Sequence, residues 1–115
     1  MKPQRGDIWY ISFEPQVGKE IKKSRPGLVV GARILENLPI VIVLPIREYK
    51  EFHKDKFFFV PLEPSPNNNL KKLSTVDCVQ IKSFSQERFI RKIGSIGKPD
   101  MQHITDALRL CLELF

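Results

Sequence analysis

The chain has 115 residues, 42% of them hydrophobic and 28% charged, with a formal net charge of +6. This length suits a single domain, 1–115, that buries enough apolar surface to fold without disulfides or a metal. The longest apolar run, residues 38–46, is about half of what a membrane helix needs, and the first residues lack an apolar stretch of signal-peptide length, so a soluble, cytoplasmic protein with no membrane contact is expected.

Residues 7–13 (DIWYISF) alternate Trp9, Ile11 and Phe13 on one face with Ile8, Tyr10 and Ser12 on the other, which is a strand pattern. Residues 14–26 hold Pro15, Gly18 and Pro26 among many charges and read as a long loop. Loops of this length in compact domains are often functional. Residues 27–33 and 38–46 are two further strands, the second apolar on both faces and therefore central. Pro45 has no N–H to give a ladder, so it belongs near a strand end or a bulge.

Residues 47–56 (REYKEFHKDK) form a charged connection, and residues 57–62 (FFFVPL) a strand. Residues 63–75 carry Pro64, Pro66 and three asparagines and read as a loop, followed by a strand over 75–82. Ser85 is placed to cap a helical turn over Gln86 to Arg91, and residues 92–96 make a last short strand. Pro99 opens a C-terminal helix, whose apolar stripe is Met101, Ile104, Leu108, Cys111 and Phe115. Connections this short exclude repeated parallel crossovers. The expected fold is mainly β: a small, half-open barrel of five to seven antiparallel strands with a helix packed on it.

Cys78 and Cys111 sit in apolar patterns and are expected to be free, buried thiols. With only His53 and His103 beside them, no close ligand spacing exists, so no metal site and no cofactor are expected. His53 lies in the charged connection, where a lone histidine is more often a bystander than a general base. Trp9, Tyr10, Phe13 and Phe57 to Phe59 are core aromatics first; Phe52 is the better candidate to stack on a base. The positive charge favours a polyanionic partner, and Lys19, Lys22 and Lys23 concentrate it in the first long loop.

The ordered segments Arg5-Gly6-Asp7-Ile8-Trp9, Gly18-x-Glu20 and Arg25-Pro26-Gly27-Leu28-Val29-Val30 resemble the N-terminal signature of the MazF/PemK toxins. Val79-Gln80-Ile81-Lys82-Ser83-Phe84, with Arg88-Phe89-Ile90 and Ile93-Gly94, resembles the family's second signature. The resemblance implies an SH3-like barrel shared with the CcdB gyrase poisons. It implies a homodimer that cuts single-stranded RNA without metal, leaving a 2′,3′-cyclic phosphate. It also implies an acidic antitoxin partner, and contact with operator DNA only through the antitoxin complex.

By the same resemblance Arg25 faces the scissile phosphate, where a guanidinium can hold two phosphate oxygens. Glu20 matches the acidic residue of the first loop and is a catalytic candidate that orients Arg25 or touches RNA. Lys19, Lys22 and Lys23 form a basic lip for RNA, and Gln80, Lys82 and Ser83 are implied RNA-binding residues, Gln80 with a structural share. Three positions depart from the pattern: Ile21, where the family often has Gln, Lys82, where it more often has Arg, and Arg47. The family usually places Thr or Ser just after the third strand, and this chain has Arg47. Arg47 can hold phosphate but cannot relay a hydroxyl proton. The competing readings are therefore an active ribonuclease, an attenuated module that binds RNA or antitoxin without cutting, and a CcdB-like gyrase poison. The last is disfavoured because the only tryptophan, Trp9, lies in the first strand and not at the end of the helix.

Overall fold

The computed structural model describes residues 2–15, 17–20 and 23–115. Seven antiparallel strands are present: β1 (Asp7–Ser12), β2 (Ser24–Val29), β3 (Ile40–Glu48), β4 (Phe59–Leu62), β5 (Ser74–Asp77), β6 (Lys82–Ser85) and β7 (Phe89–Ser95). One helix follows, α1 (Lys98–Cys111). The strand order is β4-β5-β3-β2-β1-β7, and β6 also pairs with β3. The sheet bends around a core but does not close.

β3 is the hub. One edge pairs with β2, from Gly27↔Pro45 to Val29↔Val43. The other edge is shared, with β6 along Ile40 to Val43 and β5 along Ile46 to Glu48. Alternation along the strands then sorts the molecule into two faces. Ile8, Leu28, Leu44, Ile46 and Val76 point to one face, where Ile104 and Ala107 of α1 complete the main core. Trp9, Ile11, Phe13, Val29, Val41 and Val43 point to the other, where Phe84 and Phe89 cover part of them. The even-numbered positions of β1, β2 and β3 therefore face the helix, and the odd-numbered ones face away from it.

Several expected boundaries move. β2 begins at Ser24 and β3 runs on to Glu48, so Arg25 and Arg47 are strand residues and not loop residues. Pro45 sits inside β3 opposite Gly27, an arrangement its missing N–H allows because β5 takes over the other edge only at Ile46. The single strand expected over 75–82 is broken into β5 and β6. Residues 78–81 turn between them because Asp77 folds its carboxylate back onto the Val79 N–H, 3.2 Å away. Ser85 does accept a bond from the Glu87 N–H at 3.3 Å, but the turn it caps is short and β7 starts at Phe89. Arg33, read as the end of the strand over 27–33, instead opens a short 3-10 turn, Arg33–Leu35. Helix α1 takes Gly97 as its cap, with Pro99 one residue inside. Of its expected stripe, Phe115 is 91% exposed and makes no core contact, while Ala107 is buried in its stead. Cys78 is buried as expected; Cys111 is half-buried, and both thiols are free. Burial pushes the Cys78 thiol up to about 12. No helix among the described residues is long and apolar enough to cross a membrane.

The asparagine-rich segment before β5 is a fixed plug. Asn68 is buried, its Oδ1 accepting from the N–H groups of Ser65 and Leu70 and its Nδ2 donating to the Glu63 carbonyl. The Asn67 carbonyl accepts from the Ser95 N–H, which draws the plug against β7. That approach requires glycine at 94, where a Cβ would lie 2.4 Å from the Asn67 carbonyl oxygen. Gly94→Ala is expected to lower the unfolding free energy by about 1–3 kcal/mol, as overpacking does, read as a fall in the midpoint of urea denaturation.

Candidate functional site

The odd-numbered face gathers the charged residues. Arg25 lies opposite Ile11, and Arg47 opposite Thr75. The β2–β3 pairing ends at Gly27↔Pro45, and Arg25 and Arg47 each lie two residues beyond it, on the faces of Ile11 and Thr75. Lys82 joins them there through its pairing with Val43. Arg25 and Arg47 are half-buried, so their apolar stems are covered while the heads reach the surface.

Arg47 is held on two sides. Its Nη1 lies 3.6 Å from Oδ2 of Asp77, and its guanidinium stands over the Phe52 ring, 5.9 Å from the centroid. Gln80 donates from Nε2 to the same Asp77 oxygen at 3.0 Å. Gln80 thus braces the turn between β5 and β6, its expected structural share.

Glu20 and Lys82 form a direct pair, Nζ to Oε2 at 2.9 Å, and the other Glu20 oxygen accepts from the Val17 N–H at 3.0 Å. The Lys82 hydrogen bond first, then that of Val17, holds the Glu20 carboxyl below the usual range. With Lys19, Val79, Gln80 and Ile81 these two residues line an open cleft of about 430 Å³. Lys23 is exposed at the start of β2, with φ 66°; its backbone N–H donates to Oε1 of Glu14 and its carbonyl accepts from the Phe13 N–H. Lys22 lies outside the described residues. Ser83 pairs with Ile42, which puts it on the face opposite Lys82, so the strip does not include it.

Asp77, which sequence reasoning passed over, and His53, which it read as a loop residue, are both buried. Asp77, 2% exposed, is the buried counter-charge of Arg47. Its signal was a carboxylate in the otherwise apolar and hydroxylic run STVDCV. His53 is 2% exposed, packed among Tyr49, Phe52 and Phe59. Its Nδ1 accepts from the Lys50 N–H at 2.9 Å and lies 3.0 Å from Thr75 Oγ1. That assigns the ring proton to Nε2, which is buried and has no hydrogen-bond partner among the described residues. Such burial leaves His53 unable to touch a substrate. Phe52 is 54% exposed at the edge of this cluster.

A larger groove, about 920 Å³, runs between β4 and α1. Its rim carries Glu63, Asp100 and Asp106 and no lysine or arginine, so its charge opposes a polyanion. Among the described residues no three His, Cys, Asp or Glu side chains group around a possible metal position.

These features define a class: a small, open β-sheet protein with a helix on one face and a cationic strip across the other. A family model for the PemK-like, MazF-like toxins of type II toxin–antitoxin systems matches residues 4–112, and the chain belongs to that family. It is 25% identical to "Endoribonuclease MazF9" of Mycobacterium tuberculosis, an alignment spanning 97% of this chain and 98% of that protein. A crystal structure of MazF from Deinococcus radiodurans superposes with a TM-score of 0.81 at 20% identity, covering 98% of each chain. A mycobacterial endoribonuclease solved in complex with its cognate antitoxin gives 0.79 at 18% identity, covering 98% of this chain and 97% of that one. The structural likenesses bear out the half-open barrel with its C-terminal helix.

Burial first, and then the Arg47 guanidinium, hold the His53 pKa below the ordinary 6.5. The unfolded chain therefore takes up a proton at a higher pH than the folded one. The stability that a neutral His53 contributes is complete above about pH 6.5 and is lost as pH falls below it, by at most about 1.4 kcal/mol per pH unit. Urea denaturation at pH 7.5 and 5.5 should show a lower midpoint in acid, with a smaller drop in His53→Gln.

Proposed function

We propose that the chain is a cytoplasmic toxin domain, 1–115, that acts as a metal-independent endoribonuclease on single-stranded RNA. The observation that carries this reading is that Arg25 and Arg47 stand on adjacent strands, each two residues past the last β2–β3 pair, Gly27↔Pro45. Family membership and the endoribonuclease name of a relative aligned end to end support it.

The reaction needs no protein nucleophile. The RNA's own 2′-oxygen loses its proton to a base and attacks the adjacent phosphorus. The bond to the 5′-oxygen breaks, and that oxygen leaves with a proton, giving a 2′,3′-cyclic phosphate and a 5′-hydroxyl. Charge gathers on the non-bridging oxygens of the pentacoordinate phosphorane, and two guanidinium groups carried on adjacent strands stabilise it. Arg25 takes the scissile phosphate and Arg47 shares its charge in the place where relatives carry a hydroxyl. Lys19, Lys22, Lys23 and Lys82 draw in the flanking phosphates, and Gln80 holds the turn that presents Lys82. Glu20 is exposed, so its pair with Lys82 is screened and opens readily to an incoming phosphate. Ser83 contacts the RNA backbone only where it passes around the β6 edge.

The same strip suits an acidic antitoxin segment, which competes for the cations that RNA uses. We read the working form as a homodimer, reaching operator DNA only within the toxin–antitoxin complex.

The test is incubation with a long single-stranded RNA in EDTA, with the ends mapped. Discrete cuts with cyclic-phosphate ends are expected, and Arg25→Ala should reduce their rate by about 100-fold or more. RNA that is bound but left intact would make the chain a binding module that has lost its chemistry, with Arg47 as the cause. Lys23→Ala and Lys82→Ala should each weaken binding of single-stranded RNA and flatten the plot of log affinity against log salt by about 0.7.

A further inference from the structure

Asp77 has the environment of a residue kept for a purpose beyond packing. Its side chain is 3% exposed at the end of β5, and both oxygens are engaged: Oδ1 by the Val79 N–H at 3.2 Å, Oδ2 by Gln80 Nε2 at 3.0 Å and by Arg47 at 3.6 Å. A buried carboxylate is costly unless a cation is beside it. Among the described ion pairs, Arg47 is the one that reaches Asp77. The relation is one-sided. The carboxylate is locked by a backbone N–H and a glutamine, while the Arg47 side chain keeps 29% of its surface in solvent.

A guanidinium has five N–H donors in a planar fork. The pairing with Asp77 uses one nitrogen, and the guanidinium carbon stands over the Phe52 ring. The rest of the fork belongs to a side chain that stays partly open to solvent. An arginine left alone on a strand would sample many rotamers and lose that freedom on binding. One anchored this way has met most of the loss in the folding of the protein.

We propose that Asp77 is the positioning residue of the site: its buried carboxylate, fixed by Val79 and Gln80, aims the free edge of Arg47 at an RNA phosphate. The proposal rests on the ribonuclease reading. Asp77 touches no substrate and acts only through Arg47. Arg47 accordingly arrives with its anchor, and the arginine in place of the family's hydroxyl is a working part of this site.

A double-mutant cycle tests it. The dissociation constant for a mixed-sequence, single-stranded 2′-O-methyl RNA, which cannot be cut at its own 2′-oxygen, is measured for the wild type, Asp77→Asn, Arg47→Gln and the double variant. Cleavage of the unmodified RNA is followed in parallel. Asp77→Asn should weaken binding by about tenfold in the wild-type background and less than about twofold with Arg47→Gln. Equal losses in both backgrounds would show Asp77 to be a stability residue only and overturn the proposal. Cleavage by the wild type with an additive cycle sinks the positioning role alone; a wild type that neither binds nor cuts RNA sinks the ribonuclease reading and this role with it. If Asp77→Asn fails to fold, the wild-type Arg47 side chain gives the answer by nuclear magnetic resonance. Slow rotation of its guanidinium is expected, and rapid rotation contradicts the anchor.

Discussion

The alternation of side chains along β3 is the constraint on which the rest of the structure depends. Leu44 and Ile46 must face α1 to close the main core, and a slip of one residue would turn them to solvent and bury Pro45 and Arg47 against the helix. Because the register is fixed by that apolar set, the odd-numbered residues have only one place to go. Val41 and Val43 find the aromatic cluster of Trp9, Phe13 and Phe84, and Arg47, beyond it, reaches the surface. The same parity on β2 and β6 brings Arg25 and Lys82 to that surface. The cationic strip is thus a by-product of how the core must pack, and it sits on strands, which hold charged heads more firmly than a loop does.

Electrostatics divides the surface in a way the net charge of +6 does not reveal. The face away from α1 collects guanidinium and ammonium groups, whereas the groove beside α1 carries carboxylates. A polyanion is steered to one side and turned from the other. Within the strip the charges are not equal. Arg47 is tied to a buried carboxylate and Lys82 to an exposed one, so one pairing is fixed and the other yields to salt or to a competing anion.

How much of this was legible in the sequence varies with the kind of signal. Period-two alternation located β1, and the three- and four-residue spacing located α1. Their faces follow from the same patterns, with Phe115 the exception because it lies beyond the last helical turn. The ends of strands were less legible. Ser24 to Pro26 looked like loop, with a proline and several charges, yet they pair with β1 once Tyr10 to Ser12 are in place beside them. Arg47 looked like the start of a polar connection, and becomes strand because β5, distant in the chain, supplies its partner. Arg25 was singled out through its family resemblance alone; its half-buried setting on β2 needed the structure. Asp77 and His53 were out of reach, because what gives them meaning is burial beside residues far along the chain: Arg47 for the one, Thr75 for the other.

The central claim is that RNA lies across the odd-numbered face, between Arg25, Arg47 and Lys82. Backbone amide shifts recorded while a 2′-O-methyl single-stranded RNA is titrated into the labelled protein test it directly. The account predicts the largest shifts at residues 23–25, 47 and 77–82, with little change along Lys98–Cys111. Shifts concentrated on the acidic groove and the helix, with the strip unmoved, would contradict it.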